Sequence, residues 1–152
     1  MKKVTPLFVA LIFVFLLAMP VAARDSAFTD VEKGSWYEDA VDWAVMHRIT
    51  KGMTDTEFGP KYPCTRGQMV TFLWRAAGCP EIKNTKNPFN DVKESDYYYP
   101  ATLWAYENEI TYGTGNGAFS PKATLTRAET VTFLWRIDGS PKVNMKNPFT
   151  DV

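Results

Sequence analysis

The sequence predicts an all-α fold made of tandem helix–loop–helix repeats, and three observations predict it. Residues 28–80 lie over 89–141 at an offset of 61 with no gap, and 23 of the 53 columns are identical. Repetition at such a period marks stacked supersecondary units, each burying its apolar face on a neighbour. Within both copies apolar residues recur at helical spacing: Tyr37, Ala40, Trp43 and Ala44, then Tyr98, Ala101, Trp104 and Ala105. Finally, "TRGQMVTFLWR" at 65–75 and "TRAETVTFLWR" at 126–136 each open on a helix-start signal and run into Gly and Pro.

In chain order, residues 1–23 read as a secretory signal peptide. Lys2 and Lys3 form a short positive region, 7–19 is an uncharged apolar run, and "VAA" at 21–23 offers small residues for cleavage after Ala23. The apolar run falls short of the ~20 residues that span a bilayer, so no membrane contact is expected after cleavage. The first repeat, 28–80, carries its first helix around Trp43, with Gly52 as the expected stop. A loop with "FGPK" follows, and then a helix from Thr65 whose stripe is Met69, Val70, Leu73 and Trp74. Residues 81–88 read as a linker, and 89–141 repeat the pattern with Gly113, "FSPK" and the stripe Val131, Leu134, Trp135. Phe72 and Phe133 point off that stripe, so the second helix of each copy is expected to bury two faces. Residues 142–148 form a second linker, and "FTDV" at 149–152 repeats 28–31. The chain therefore reads as a piece of a protein with at least three repeats, with self-association through the incomplete third one an open possibility. Strands have room only as short extended pieces in loops.

Composition removes several function classes. Without the leader the chain has 15 basic and 17 acidic residues, a net −2 with no basic tract, which argues against nucleic acid as a partner. No Cys/His cluster suits a metal and no cofactor is implied. "GTGNG" at 113–117 follows a helix and lacks the strand-to-helix setting of a nucleotide loop. His47 is the single histidine, and no Ser–His–Asp or Cys–His set recurs between copies. Nothing points to an enzyme. Cys64 and Cys79 flank a helix ~20 Å long, too far apart for a disulfide, and Cys64 reads as a small core residue.

One pair of residues lacks a structural explanation. Thr65 with Gln68, and Thr126 with Glu129, make capping boxes. Arg66 and Arg127, however, sit at the first helical position, where a cation opposes the helix dipole by several tenths of a kcal/mol. Arg75 and Arg136 at the other end suit the dipole and need no further role. The mismatched pair calls for a nearby anion. It can be internal, Asp30 or Asp91 of the F-x-D-V stretch, or an external anionic ligand held by guanidinium and free amides together.

Phe-x-Asp-Val, Ala-x-x-Trp-Ala, Ile-Thr-x-Gly, Phe-x-Pro and Thr-Arg-Ala-Glu, in this order, resemble the S-layer homology repeat. The resemblance covers 28–80, 89–141 and the stub 149–152. It implies a share in a pseudo-threefold helical prism that binds secondary cell-wall polymers non-covalently in grooves between repeats. It implies a secreted, cell-wall-anchored protein whose partner is a cell-wall glycan, anionic and often pyruvylated. The family's motif residues fall here on Arg66 and Arg127, Asp30 and Asp91, Gly52 and Gly113, and Trp43 and Trp104. Copy one departs from the pattern with "TRGQ", and Gln68 is expected to cap less well than an acidic residue. Two other readings stand beside this one: a helical-repeat module that binds another protein, and the tether of an exported enzyme whose catalytic domain lies beyond residue 152.

Overall fold

The computed structural model describes residues 28–144 and 148–151. The leader assigned to 1–23 lies outside them, as do 145–147 within the second linker and Val152. Among the described residues four helices make up the regular structure: α1 (Glu38–Met46), α2 (Arg66–Ala76), α3 (Tyr99–Glu107) and α4 (Arg127–Ile137). Extended structure among the described residues is limited to two isolated bridges, Thr65 with Thr124 and Gly115 with Ala118. No described helix is long and apolar enough to cross a membrane. The fold is all-α, with α1 and α2 in the first repeat and α3 and α4 in the second.

The helix starts obey the capping rule. Thr65 accepts from the Gln68 amide at 3.3 Å, and Gln68 Oε1 accepts from the Thr65 amide at 2.9 Å. At α4 the corresponding distances are 3.2 and 2.9 Å. Gln68 therefore closes its box as well as Glu129 does, contrary to expectation, because either side chain offers the oxygen the Ncap amide requires. The first helices stop earlier than Gly52 and Gly113 suggested. Arg48 and Glu109 take left-handed backbone, φ 59° and 60°, and turn the chain two residues past Met46 and Glu107. The glycines serve a different purpose. A Cβ on Gly52 would stand 2.5 Å from the Phe28 ring and 2.8 Å from the Glu57 carbonyl oxygen, and Gly113 faces Phe89 and Ala118 in the same way. Each glycine, at φ 83° or 84°, lets the phenylalanine of F-x-D-V lie against the loop backbone.

That phenylalanine belongs to a motif tying each repeat's start to its middle. The two carboxylate oxygens of Asp30 accept from the Phe58 and Gly59 amides, both at 2.8 Å. Asp91 does the same for Phe119 and Ser120. The ends of α2 and α4 are pinned alike: Arg75 Nη1 donates to the Ile49 carbonyl and Arg136 Nη1 to that of Ile110. Trp74 and Trp135 donate their indole N–H to Pro80 and Pro141, each at 3.0 Å.

The larger core spans the two repeats. α2 packs on α3, and Val70, Leu73, Ala101, Trp104, Phe119 and Phe133 lie in one buried cluster. A smaller cluster, Phe28, Val31 and Val41, holds the first repeat's opening turn to α1. Identical columns thus meet unlike surroundings. Trp104 is 5% exposed and Trp43 52%; Val70 is 0% exposed and Val131 60%; Leu73 is 8% exposed and Leu134 47%. The helical stripes read from the sequence face the adjacent repeat, so only α2 and α3 have theirs covered. On α4 the buried residue is Phe133, from the off-stripe face.

Candidate functional site

The eight residues singled out from the sequence fall into three environments. Asp30, Asp91, Gly52 and Gly113 shape the loops described above, although Gly52 also lines a groove. Arg66 and Trp104 are buried where the repeats meet. Trp43 and Arg127 are exposed at the two ends.

Arg66 settles the question of its anion. It is 4% exposed, and Nη1 reaches Glu129 Oε1 at 3.2 Å. Nε donates to the Phe119 carbonyl at 2.9 Å, and Nη2 lies 3.5 Å from Thr111 Oγ1. The guanidinium sits over the Phe119 and Phe133 rings at 5.2 and 5.3 Å from their centroids. Burial is the largest influence on Arg66 and works against its charge, while Glu129 favours it. The partner is the capping glutamate of the next repeat; Asp30 and Asp91, the internal candidates set beside an external ligand, hold loop amides instead. The amides at the start of α2 are also occupied, Arg66 by the Ala123 carbonyl and Gly67 by that of Pro121, both at 2.9 Å. Arg127 differs at every point. It is exposed, its guanidinium makes no hydrogen bond or ion pair among the described residues, and its amide and that of Ala128 meet no acceptor there. Trp43 lies beside His47, ring centroids 4.7 Å apart.

A groove opens where the loop and α2 of the first repeat meet Tyr97 of the second, with a volume of about 570 Å³. Lys51, Gly52, Met53, Tyr62, Arg75 and Tyr97 are among its lining residues, and the lining holds no carboxylate. Two cations facing one groove without a counter-ion, in a chain of balanced charge, suit an anionic ligand. Tyr62 and Tyr97 are largely exposed and offer aromatic faces beside them. The part of Tyr97 that is covered raises its phenol above the usual value, which adds to its being protonated and able to donate at neutral pH. Burial likewise raises the Cys64 thiol, which keeps it un-ionised; both cysteines are free. Sequence reasoning missed Lys51, Arg75 and Tyr97. Arg75 had a sufficient explanation at the helix C-terminus, and Lys51 stands in a column where the copies differ. Its counterpart is Tyr112, which in the second repeat lies under the Arg136 guanidinium, 5.3 Å from centroid to carbon. That divergent column was the available signal.

Two stacked helical repeats, joined through a buried arginine and bordered by a groove lined with two cations, define a small helical-repeat module. The chain belongs to the S-layer homology domain family, whose pattern matches residues 27–70 and 88–131, more than half of its length. It is 34% identical over 121 residues, or 77% of the chain, to a cell surface protein of Thermoanaerobacter kivui. It is 33% identical over 67% of its length to an endo-1,4-beta-xylanase A of Thermoanaerobacterium saccharolyticum, and 28% over 76% to an S-layer protein of Bacillus licheniformis. The chain spans only 16%, 9% and 13% of those three relatives.

Proposed function

We propose that this chain anchors a secreted protein to the bacterial cell wall, non-covalently and without catalysis, and that its inter-repeat groove binds an anionic secondary cell-wall polymer. The carboxylate of a pyruvyl ketal is a group of the right charge for Lys51 and the free edge of Arg75. The observation carrying this reading is the groove lining: two cations, two exposed tyrosines and no acid. Gly52 forms part of its wall, Asp30 fixes the loop that shapes it, and Arg66 and Trp104 hold its two sides together from within. Asp91 and Gly113 shape the equivalent loop of the second repeat, where Arg127 presents the exposed guanidinium. Trp43 offers an open aromatic face at the first repeat. The xylanase relative supports a version in which such a module tethers an exported catalytic domain.

The test is sedimentation with cell-wall sacculi. The protein should pellet with intact sacculi and remain in solution when the secondary polymer has been stripped from the peptidoglycan. Lys51→Glu, at an exposed position, should weaken binding about tenfold or more, since one lost charged contact is worth ~1.4 kcal/mol or more. Its far-UV circular dichroism should match the parent's. Undiminished binding to stripped sacculi, or by the Lys51→Glu protein, would overturn the assignment.

A further inference from the structure

The stretch "GTGNG" at 113–117 holds the chain's single Asn–Gly pair. Asn116 and Gly117 are the central residues of a tight turn, closed by the Ala118 amide on the Gly115 carbonyl at 2.9 Å. Both take left-handed backbone, φ 51° and 74°, as the mirror-image hairpin turn requires. Both are exposed. The Asn116 carboxamide makes no hydrogen bond among the described residues, and the Gly117 N–H meets no acceptor there. An unhindered amide nitrogen thus follows a free side-chain carbonyl carbon, and both are open to solvent. The other asparagines lack one part of this arrangement or more. Proline follows Asn87 and Asn147 and supplies no N–H. The side chains of Asn84, Asn90 and Asn108 are each bonded to backbone. Asp138–Gly139, the related acid pair, has its glycine amide tied to the Arg136 carbonyl at 3.0 Å. The first repeat has Asp55 and Thr56 in these columns. Those two stay exposed although the second repeat packs on the first, so a neighbouring repeat leaves such a turn open.

We propose that Asn116 is a site of spontaneous deamidation, and that its isoaspartyl product loosens the turn that sets Phe119 in the junction. Asparagine is among the thermolabile residues. The Gly117 nitrogen gives its proton to hydroxide and bonds to Asn116 Cγ. The Cγ–Nδ2 bond breaks, and the nitrogen takes a proton from water and leaves as ammonia. The five-membered imide then adds water at either carbonyl carbon and opens to aspartate or to isoaspartate. The net change is amide plus water to acid plus ammonia, with no oxidation. In isoaspartate the main chain runs through the side chain and is one methylene longer. This turn has no slack for it. The Asn90 amide donates to the Gly117 carbonyl at 2.8 Å, and Asn90 Nδ2 to that of Asn116 at 3.2 Å. The Thr114 amide donates to the Ala118 carbonyl at 2.8 Å, and Gly113 lies against that same carbonyl. Directly after it, the Phe119 amide is held by Asp91 and the Phe119 carbonyl accepts from Arg66. A longer turn breaks the Asn90 bonds first and shifts Phe119 against Arg66.

The test ages the purified secreted chain in mildly alkaline buffer at physiological temperature. Digestion and mass spectrometry with electron-transfer fragmentation then separate aspartyl from isoaspartyl peptides. The peptide holding Asn116 should gain the amide-to-acid mass, and isoaspartate, before any other asparagine peptide, at a rate that rises with hydroxide. Ageing in heavy-oxygen water should place the label in that residue. Asn116→Gly suits left-handed backbone and removes the reacting carboxamide, so its turn should keep its mass and its urea midpoint should hold through ageing. The midpoint of the aged parent should fall. Freshly prepared Asn116→Asp carries the acid without the longer main chain, and its midpoint should match that of the fresh parent. An Asn116 that keeps its amide, whether other asparagines convert or none does, would overturn the site. An isoaspartyl chain with the midpoint of the fresh parent would overturn the coupling to the junction.

Discussion

Arg66 and Arg127 are the same residue in the same motif, and the structure assigns them opposite physical roles. Arg66 is sealed in the junction, where burial opposes its charge and Glu129, Phe119 and Thr111 compensate. Arg127 stands in solvent. The motif therefore codes for a joint, and its arginine is a closed joint or an open cation according to whether another repeat packs against it. The sequence showed that each arginine sits badly beside a helix N-terminus and needs an anion. It could not show which, because the partner lies 63 positions away and already had a complete explanation as a helix cap. The expected consequence is a large difference in stability. Arg66→Met keeps the aliphatic stem but leaves the Phe119 carbonyl buried without its donor, and should cost about 2–3 kcal/mol. Arg127→Met should stay within about 0.5 kcal/mol of the parent, as exposed substitutions do. Urea denaturation followed by far-UV circular dichroism measures both; similar losses in the two variants would contradict the assignment.

The helices themselves were legible, because their determinants are local. Capping boxes, a Gly–Pro exit and a 3.6-residue stripe involve neighbours within one turn, and α2 and α4 begin where those signals put them. The ends of α1 and α3 were misread, since Arg48 and Glu109 make the left-handed turn usually given to glycine, and Gly52 and Gly113 are reserved for contact with Phe28 and Phe89. The capping boxes also differ in charge while matching in geometry, which makes α4 responsive to pH. The Glu129 carboxyl is held below its ordinary value of 4.5, first by the Thr126 amide, then by the Thr126 hydroxyl and by Arg66. A group whose folded value is depressed contributes stability that is full above its ordinary value and is lost as pH falls through the lowered one. Glu129→Gln keeps the cap, as Gln68 does in the first repeat, and removes only the titrating charge. The parent should therefore be more stable than Glu129→Gln at pH 7, and the gap should narrow as pH drops below about 4.5, through the lowered value of the folded carboxyl. Urea midpoints of both proteins across that range measure it, and a gap that stays constant with pH would remove the ion pair from the account.

At the scale of the molecule, two aligned helices of nine residues each have unequal support. α3 buries Ala101, Thr102, Leu103, Trp104 and Ala105, and it shares the larger core with α2 and the Phe119 turn. α1 buries Val41 alone and leans on the small Phe28–Val31 cluster. The repeat pattern made the stacking readable, yet equal columns gave no sign of which helices meet at the junction and which lie outside it; burial there is set by neighbours. In stacked repeats, stability is close to a sum of each unit's own contribution and its interfaces, so a helix lacking one interface opens first. Native-state hydrogen exchange should therefore show the amides of Glu38–Met46 exchanging faster than those of Tyr99–Glu107, with α2 and α3 opening together. Equal protection of the two helices in dilute solution would mean that the junction contributes little to the stability of α3, and the division of this chain into a supported interior and an open edge would fail.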